Sequence, residues 1–258
     1  MRTGTHVGGR GRTRRTRTVV DTLVVLAAVA ALAWAFVPGI GPDLLGLGGR
    51  VGWPGGVGGE GLDDLPATDV VLALRALPTR PDEEVPEYRR EAFGTRWADT
   101  DHNGCDTRND VLARDLARPT FRAGTGDCVA LSGTLAEPYT GQVIEFERGA
   151  ETSEAVQIDH VVALADAWRA GAWAWELGAR QEFANDPLNL LAVDGGANQD
   201  KEAARADEWL PPDPAFHCPY VARQVAVKDS WGLSVTETER RAMADVLRDC
   251  PDQVLPTR

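Results

Sequence analysis

Basic residues are scarce for a chain of this length: 27 Lys and Arg stand against 39 Asp and Glu in 258 residues, a formal net charge of −12. Arg2, Arg10, Arg12, Arg14, Arg15 and Arg17 supply cations near the N-terminus with no acid among them, so the remainder carries roughly −18. A surface of that sign excludes tight, charge-driven binding to a polyanion. Contact with one must rest on local cations, a bound metal ion or both, and must weaken steeply with salt. Cysteines are few, 4 in all, and no C-x-x-C occurs among them, which excludes a zinc knuckle. No cysteine lies near the N-terminal apolar run to accept a lipid, and no internal repeat suggests a solenoid.

The residues that are present divide the chain into three parts. Residues 1–37 pair the Arg-rich start with an apolar run from Thr18 to Val37, interrupted only by Asp21. This reads as a signal peptide or a signal anchor: the flanking positive charge holds the N-terminus in the cytoplasm and places the downstream chain outside. Ala31-Leu32-Ala33 and Ala33-Trp34-Ala35 offer small-residue cleavage patterns, and the run is also near the lower length for a membrane span, so cleavage and anchoring both stay open. Residues 38–66 are Gly-rich, with few side chains able to build a core, and predict a flexible linker. Residues 67–258 then form one domain. An even cysteine count in an exported chain predicts disulfides, and the pairing Cys105–Cys128 with Cys218–Cys250 is preferred because each bridge closes a loop within one half of that domain.

The chemistry concentrates between Gln157 and Leu210. Val156, Ile158, Val161 and Val162 favour a strand through the adjacent acid and imidazole of Asp159-His160. Leu188 to Val193 is a second apolar run, closed by the turn signal Asp194-Gly195-Gly196, and Ala197 to Trp209 reads as a helix stopped by Pro211-Pro212. Two strands and a helix would bring Asp159, His160 and Asn198 to one open end. Carboxylate and amide oxygens suit a hard divalent cation, and an imidazole with its ordinary value of about 6.5 can take a proton from water near neutral pH. Neighbours on a strand point to opposite faces, so Asp159 and His160 can share a site only where the strand ends.

Three stretches carry a resemblance: Gln157-Ile158-Asp159-His160-Val161-Val162-Ala163-Leu164, Phe183-Ala184-Asn185-Asp186-Pro187-Leu188-Asn189-Leu190-Leu191-Ala192-Val193, and Ala197-Asn198-Gln199-Asp200-Lys201, completed by Glu208-Trp209-Leu210-Pro211-Pro212. Here the chain resembles the HNH endonucleases, and more narrowly the actinobacterial secreted HNH proteins related to the C-terminal domain of GmrSD restriction endonucleases. The resemblance implies an α+β fold built on a ββα-metal (His-Me finger) core. It implies Asp159 and Asn198 as metal ligands, His160 as general base and Asn189 as the brace of the loop carrying that base. The ion would be magnesium, with manganese as the alternative, and the substrate nucleic acid, taken as DNA read with little sequence specificity. Asp stands in the first motif position and Asn in the last, a variant that also occurs in the HNH domain of CRISPR RNA-guided nucleases.

Other residues are assigned around that core. Arg108 and Lys201 are candidates for substrate phosphate, a guanidinium being able to hold phosphate through two hydrogen bonds. Asp101-His102, with Asn103 beside it, is a rival acid-imidazole pair, although Asn103-Gly104 reads as a tight turn. A helix over Ala163 to Gly178 should be inserted between the two strands, with Trp168, Trp173 and Trp175 recurring on a core face. A strand over Gln142 to Phe146 would extend the sheet. Helices over Tyr220 to Ser230 and Glu237 to Arg248 come last, the second opened by a Thr236/Glu239 capping box. A monomer is expected, touching a membrane only through an uncleaved N-terminal segment. Two other readings stay in view: an extracytoplasmic interaction domain that keeps the fold without turnover, and an exported nuclease toxin with an immunity partner.

Overall fold

The computed structural model describes residues 62–81, 84–149 and 152–257. The expected signal or anchor segment and most of the expected linker lie outside the described residues. Leu62–Asp64 nonetheless form a 3-10 turn, and Leu65 is buried. Arg75 donates to the carbonyls of Leu62 and Leu65 at 2.6 and 3.0 Å, so folded structure begins inside the stretch expected to be linker.

The described architecture is α+β, with two small antiparallel sheets and seven α-helices: α1 (Asp69–Ala76), α2 (Thr107–Asp115), β1 (Leu116–Phe121), β2 (Ala130–Ala136), β3 (Val143–Glu147), β4 (Val156–His160), α3 (Leu164–Arg169), α4 (Leu177–Ala184), β5 (Leu190–Asp194), α5 (Gly195–Lys201), α6 (His217–Trp231) and α7 (Glu237–Arg248). β1, β2 and β3 form one sheet in that order, and β4 pairs with β5 in the other. The strand expected at Gln142 to Phe146 therefore does not extend the β4–β5 sheet. One reason lies in α2, whose end is tied to β5: Asp115 accepts from the Ala192 amide at 2.9 Å and Arg114 donates to the Leu190 carbonyl at 2.7 Å. These backbone groups are satisfied by side chains, as sheet edges commonly are when no further strand is added.

β5 reads as a continuous apolar run because both of its faces are covered. Leu190 and Ala192 join Val156 and Ile158 in a cluster with Val111, Leu112, Leu135 and Phe146. Leu191 and Val193 face the other way, into a core shared with α1, α6 and α7. The alternation of the pleat thus feeds two cores from one strand. A third cluster, around Phe93, Trp168, Phe183 and Leu233, packs beside them.

The single helix expected over Ala163 to Gly178 is broken. α3 stops at Arg169, a 3-10 turn covers Ala172–Ala174, and α4 starts at Leu177. Gly171 sits between them at φ 131°, a conformation suited to glycine and incompatible with a continuous helix. Trp168 is buried and Trp175 packs on Phe183 and Trp231, whereas Trp173 is 44% exposed and leaves the expected core face. α5 is likewise shorter than the helix expected over Ala197 to Trp209. It begins at Gly195, capped by the Asp194 carboxylate, and ends at Lys201. The chain leaves the helix at Glu202, whose φ of 47° is not helical, despite the helical propensity of the following Ala and Arg residues.

Candidate active site

β4 ends at His160, where the sheet opens into a cleft of about 650 Å³. Asp159, His160 and Asn198 line it together with Gln157, Tyr88, Arg90 and Glu202. The strand end lets two neighbours that point to opposite faces border one space.

The His160 ring is fixed on two sides. Nε2 lies 2.8 Å from the Ala184 carbonyl, and the Trp97 ring lies nearly parallel to the imidazole, 9° between planes and 5.9 Å between centroids. A carbonyl only accepts, so this contact places the proton on Nε2 and leaves the Nδ1 lone pair available. Burial lowers the imidazole to about 3; the Ala184 carbonyl opposes that shift, while Arg90, Lys201 and Arg96 add to it. The ring is therefore neutral at physiological pH, further from titration than an unperturbed histidine.

Asn189 lies beneath this loop and is fully buried. Its Oδ1 accepts from the Val162 amide at 2.8 Å, its Nδ2 donates to the Val162 carbonyl at 3.1 Å, and its own carbonyl accepts from the Val161 amide at 2.8 Å. Three hydrogen bonds thus tie the residues immediately after His160 to Asn189, just before β5.

Asp159 is buried, and both carboxylate oxygens have protein donors. Lys201 Nζ is 3.0 Å from Oδ1, and the Tyr139 hydroxyl donates to Oδ2 at 2.5 Å. Burial pushes the Asp159 carboxyl up, against the ammonium and hydroxyl that favour its charged form. Burial also drives the Tyr139 hydroxyl well above its usual range, with the Asp159 charge adding to the shift. Asn198 Nδ2 donates to Gln157 Oε1 at 2.8 Å. These oxygens suit a hydrated magnesium ion, which needs only one or two protein ligands, and two donors leave about two of the carboxylate's four lone-pair positions free. Among the described residues no cluster of three or more His, Cys, Asp or Glu side chains forms a closed metal cage.

Lys201 and Arg108 are not placed where phosphate contact was expected. Lys201 is fully buried beneath Asp159 and also donates to the His160 carbonyl at 3.0 Å. Its aliphatic stem lies in the core while its ammonium completes the carboxylate, so it is internal structure at the cleft floor. Arg108 donates to the Val156 carbonyl at 3.2 Å, at the opposite end of β4 from His160, where α2 packs on the sheet. The rival pair stays in an exposed turn: Asp101 accepts from the Asn103 amide at 3.2 Å, and His102 has a φ of 60°. The two disulfides are Cys105–Cys128 and Cys218–Cys250, with Cα separations of 5.0 and 5.8 Å.

Tyr139, Trp97 and Arg90 were not singled out from the sequence as site residues. Tyr139 sits in a turn whose local signal is only Glu137-Pro138-Tyr139-Thr140-Gly141, and nothing in that spacing points to Asp159. Trp97 and Arg90 belong to an aromatic and Arg mixture after Tyr88 that carries no periodicity.

The fold and cleft describe a compact α+β domain presenting an acid, an imidazole and an amide at a strand end. Residues 106–246 match the family model "GmrSD restriction endonucleases, C-terminal domain", and the chain belongs to that family. It is also 36% identical over 179 residues to an uncharacterized secreted protein of the fungus Arthroderma benhamiae, covering 69% of this chain and 82% of the relative. No solved structure matches the chain.

Proposed function

We propose that the chain is an exported, divalent-metal-dependent HNH endonuclease, its β4, β5 and α5 forming the ββα-metal core, acting on nucleic acid and specifically on DNA with little sequence preference. The observation that carries this reading is the convergence of Asp159, His160 and Asn198 on one cleft, with the His160 Nδ1 lone pair left available, in a chain of a restriction-endonuclease family. Export is supported by the Arg-rich apolar start, the two disulfides and the description of the fungal relative as secreted.

In this mechanism the Nδ1 of His160 accepts the proton of the attacking water. The Ala184 carbonyl holds the tautomer that makes this possible, and Asn189 holds the loop. Asp159 and Asn198 would hold the magnesium ion, with manganese as the alternative; such an ion supplies charge stabilisation at the phosphate and leaving oxygen. Tyr139 and Lys201 orient the Asp159 carboxylate from below. Sequence-independent cutting comes from contact with phosphate in preference to base edges.

The test is cleavage of supercoiled plasmid, single-stranded DNA and RNA by the exported chain with magnesium, manganese or chelator. The expected result is metal-dependent cutting of DNA that falls by at least ~100-fold in His160→Ala, the usual size of a lost general base. No cutting of any nucleic acid by the wild type with either ion would remove the endonuclease reading.

A further inference from the structure

The cleft contains a cation that the mechanism above leaves unused. Arg90 opens the 3-10 turn Arg90–Phe93, and its side chain lines the same cleft as Asp159, His160 and Asn198. The turn is held by Phe93, which is fully buried and packs against Tyr88, Trp168 and Phe183. The guanidinium is therefore carried on a fixed support.

Its bonding distinguishes it from the arginines that surround the fold. Arg75, Arg108, Arg114, Arg180, Arg223 and Arg240 each donate to backbone carbonyls. Arg90 Nη1 is shielded from water and has no hydrogen-bond partner; Arg75 Nε and Arg80 Nε are unpartnered too, but those guanidiniums bond through Nη2, whereas among the described residues the Arg90 side chain forms no hydrogen bond or ion pair. Burial lowers its pKa and the neighbouring Arg96 adds to that shift, while Tyr88 and Glu91 oppose it. In a chain of net charge −12, this half-buried cation has Glu91 nearby but forms no ion pair with it among the described residues. A buried donor without a partner carries a desolvation cost that an incoming acceptor removes, and an anion removes it best.

We infer that Arg90 is a phosphate-binding residue of this site, receiving a phosphodiester of the nucleic-acid strand in the cleft beside His160. The inference rests on the nuclease reading and assigns to Arg90 the contact expected of Arg108. A guanidinium meets a phosphate through paired N–H donors, and the shielded Nη1 is one such donor already oriented within the fold. Nearby Arg96 is exposed and extends the positive field towards solvent. Glu202, the carboxylate at the cleft besides Asp159, is exposed and forms no ion pair with Arg90 among the described residues.

The experiment measures binding of a labelled single-stranded DNA oligonucleotide to the full exported chain in chelator across a series of salt concentrations, and KM and kcat with magnesium restored. Arg90→Ala should weaken binding by roughly 10- to 100-fold, as expected for loss of charged hydrogen bonds, and raise KM. The slope of log affinity against log salt should become shallower by about 0.7, the share of one phosphate on a single strand. Arg90→Lys should keep the slope and lose part of the affinity, because it keeps the charge without the fork. Arg89→Ala is the control, since Arg89 is exposed and paired with Glu87 at 3.2 Å. A purely structural role would lower the melting temperature of Arg90→Ala and leave the salt slope of the folded protein unchanged. If Arg90→Ala is unstable, Arg90→Lys decides: affinity equal to wild type overturns the inference. Wild-type cleavage with Arg90→Ala matching it in affinity and slope overturns the inference while leaving the nuclease reading intact. A wild type that neither binds nor cuts overturns both.

Discussion

Asp159 and Lys201 form a pair in which neither group can be changed alone without consequence. The side chains are 6% and 0% exposed, and the 3.0 Å contact supplies the carboxylate's only cation among the described residues. Lys201→Met would leave a buried carboxylate uncompensated and should cost about 3–5 kcal/mol, whereas Asp159→Asn/Lys201→Met removes both charges and should recover much of that loss. Thermal melts of the two variants check this, and a Lys201→Met protein as stable as wild type would show that the ammonium is not buried on Asp159. Activity separates the roles: the stable double variant should still be inactive, because the proposed ligand is gone. This coupling was not legible in the sequence. That Asp159, His160 and Asn198 come to one cleft was legible because they fall in short motifs with a strand-turn-helix pattern around them. The burial of Lys201 and the approach of Tyr139 were not, because each depends on how separate segments pack.

The strand-to-helix junction shows how local signals misled at the scale of an element. Asp194-Gly195-Gly196 reads as a free turn, but the helix begins within it, with the Ala197 amide donating to the Asp194 carboxylate at 2.8 Å. Gly195 is required there by close approach: a Cβ would lie 2.1 Å from the Glu154 carbonyl oxygen. Gly195→Ala should therefore shift β5 against the segment before β4 and destabilise the domain by about 1–3 kcal/mol, the range for overpacking. Gly196→Ala, whose Cβ would meet only Asp194 Oδ1 at 3.1 Å, should change stability by under about 1 kcal/mol. Equal melting temperatures for the two variants would sink this account. A sequence pattern identifies glycine as a turn signal without revealing the carbonyl that excludes a side chain. The same limitation explains the inserted helix, where helix-forming residues hid the break at Gly171, and β1, whose Arg118-Pro119 irregularity concealed a strand.

Across the whole described domain, one buried charge cluster ties α3 and the segment after α1 to α6 and α7, the last two also being joined through Cys218–Cys250. Lys228 of α6 is fully buried between Asp166 of α3 and Glu239 of α7, with contacts of 2.8 and 2.6 Å, and Arg80 reaches Asp166 from the segment after α1 at 3.3 Å. Arg169 adds a weaker contact at 3.9 Å. Burial alone would raise the Asp166 carboxyl, but Lys228, Arg80 and Arg169 hold it below the ordinary carboxylate value. Glu239 goes the other way, raised chiefly by burial and then by the neighbouring Asp166 charge despite Lys228. The signs come from linkage. A carboxyl depressed in the folded state contributes stability above its unfolded value, about 3.9 for Asp, and that contribution is lost as pH falls through the folded value. A raised Glu239 has the opposite effect, so the two partly cancel in the wild type. Glu239→Gln keeps the capping geometry, since glutamine also serves at that position, and isolates the Asp166 contribution. Between about pH 4 and pH 2 the melting temperature of Glu239→Gln should fall more steeply than that of Glu239→Gln/Asp166→Asn, which lacks the titrating acid. Melts at a fixed ionic strength make the comparison, and parallel curves for the two proteins would mean that Asp166 carries no folded-state depression and that the cluster does not hold these helices together electrostatically.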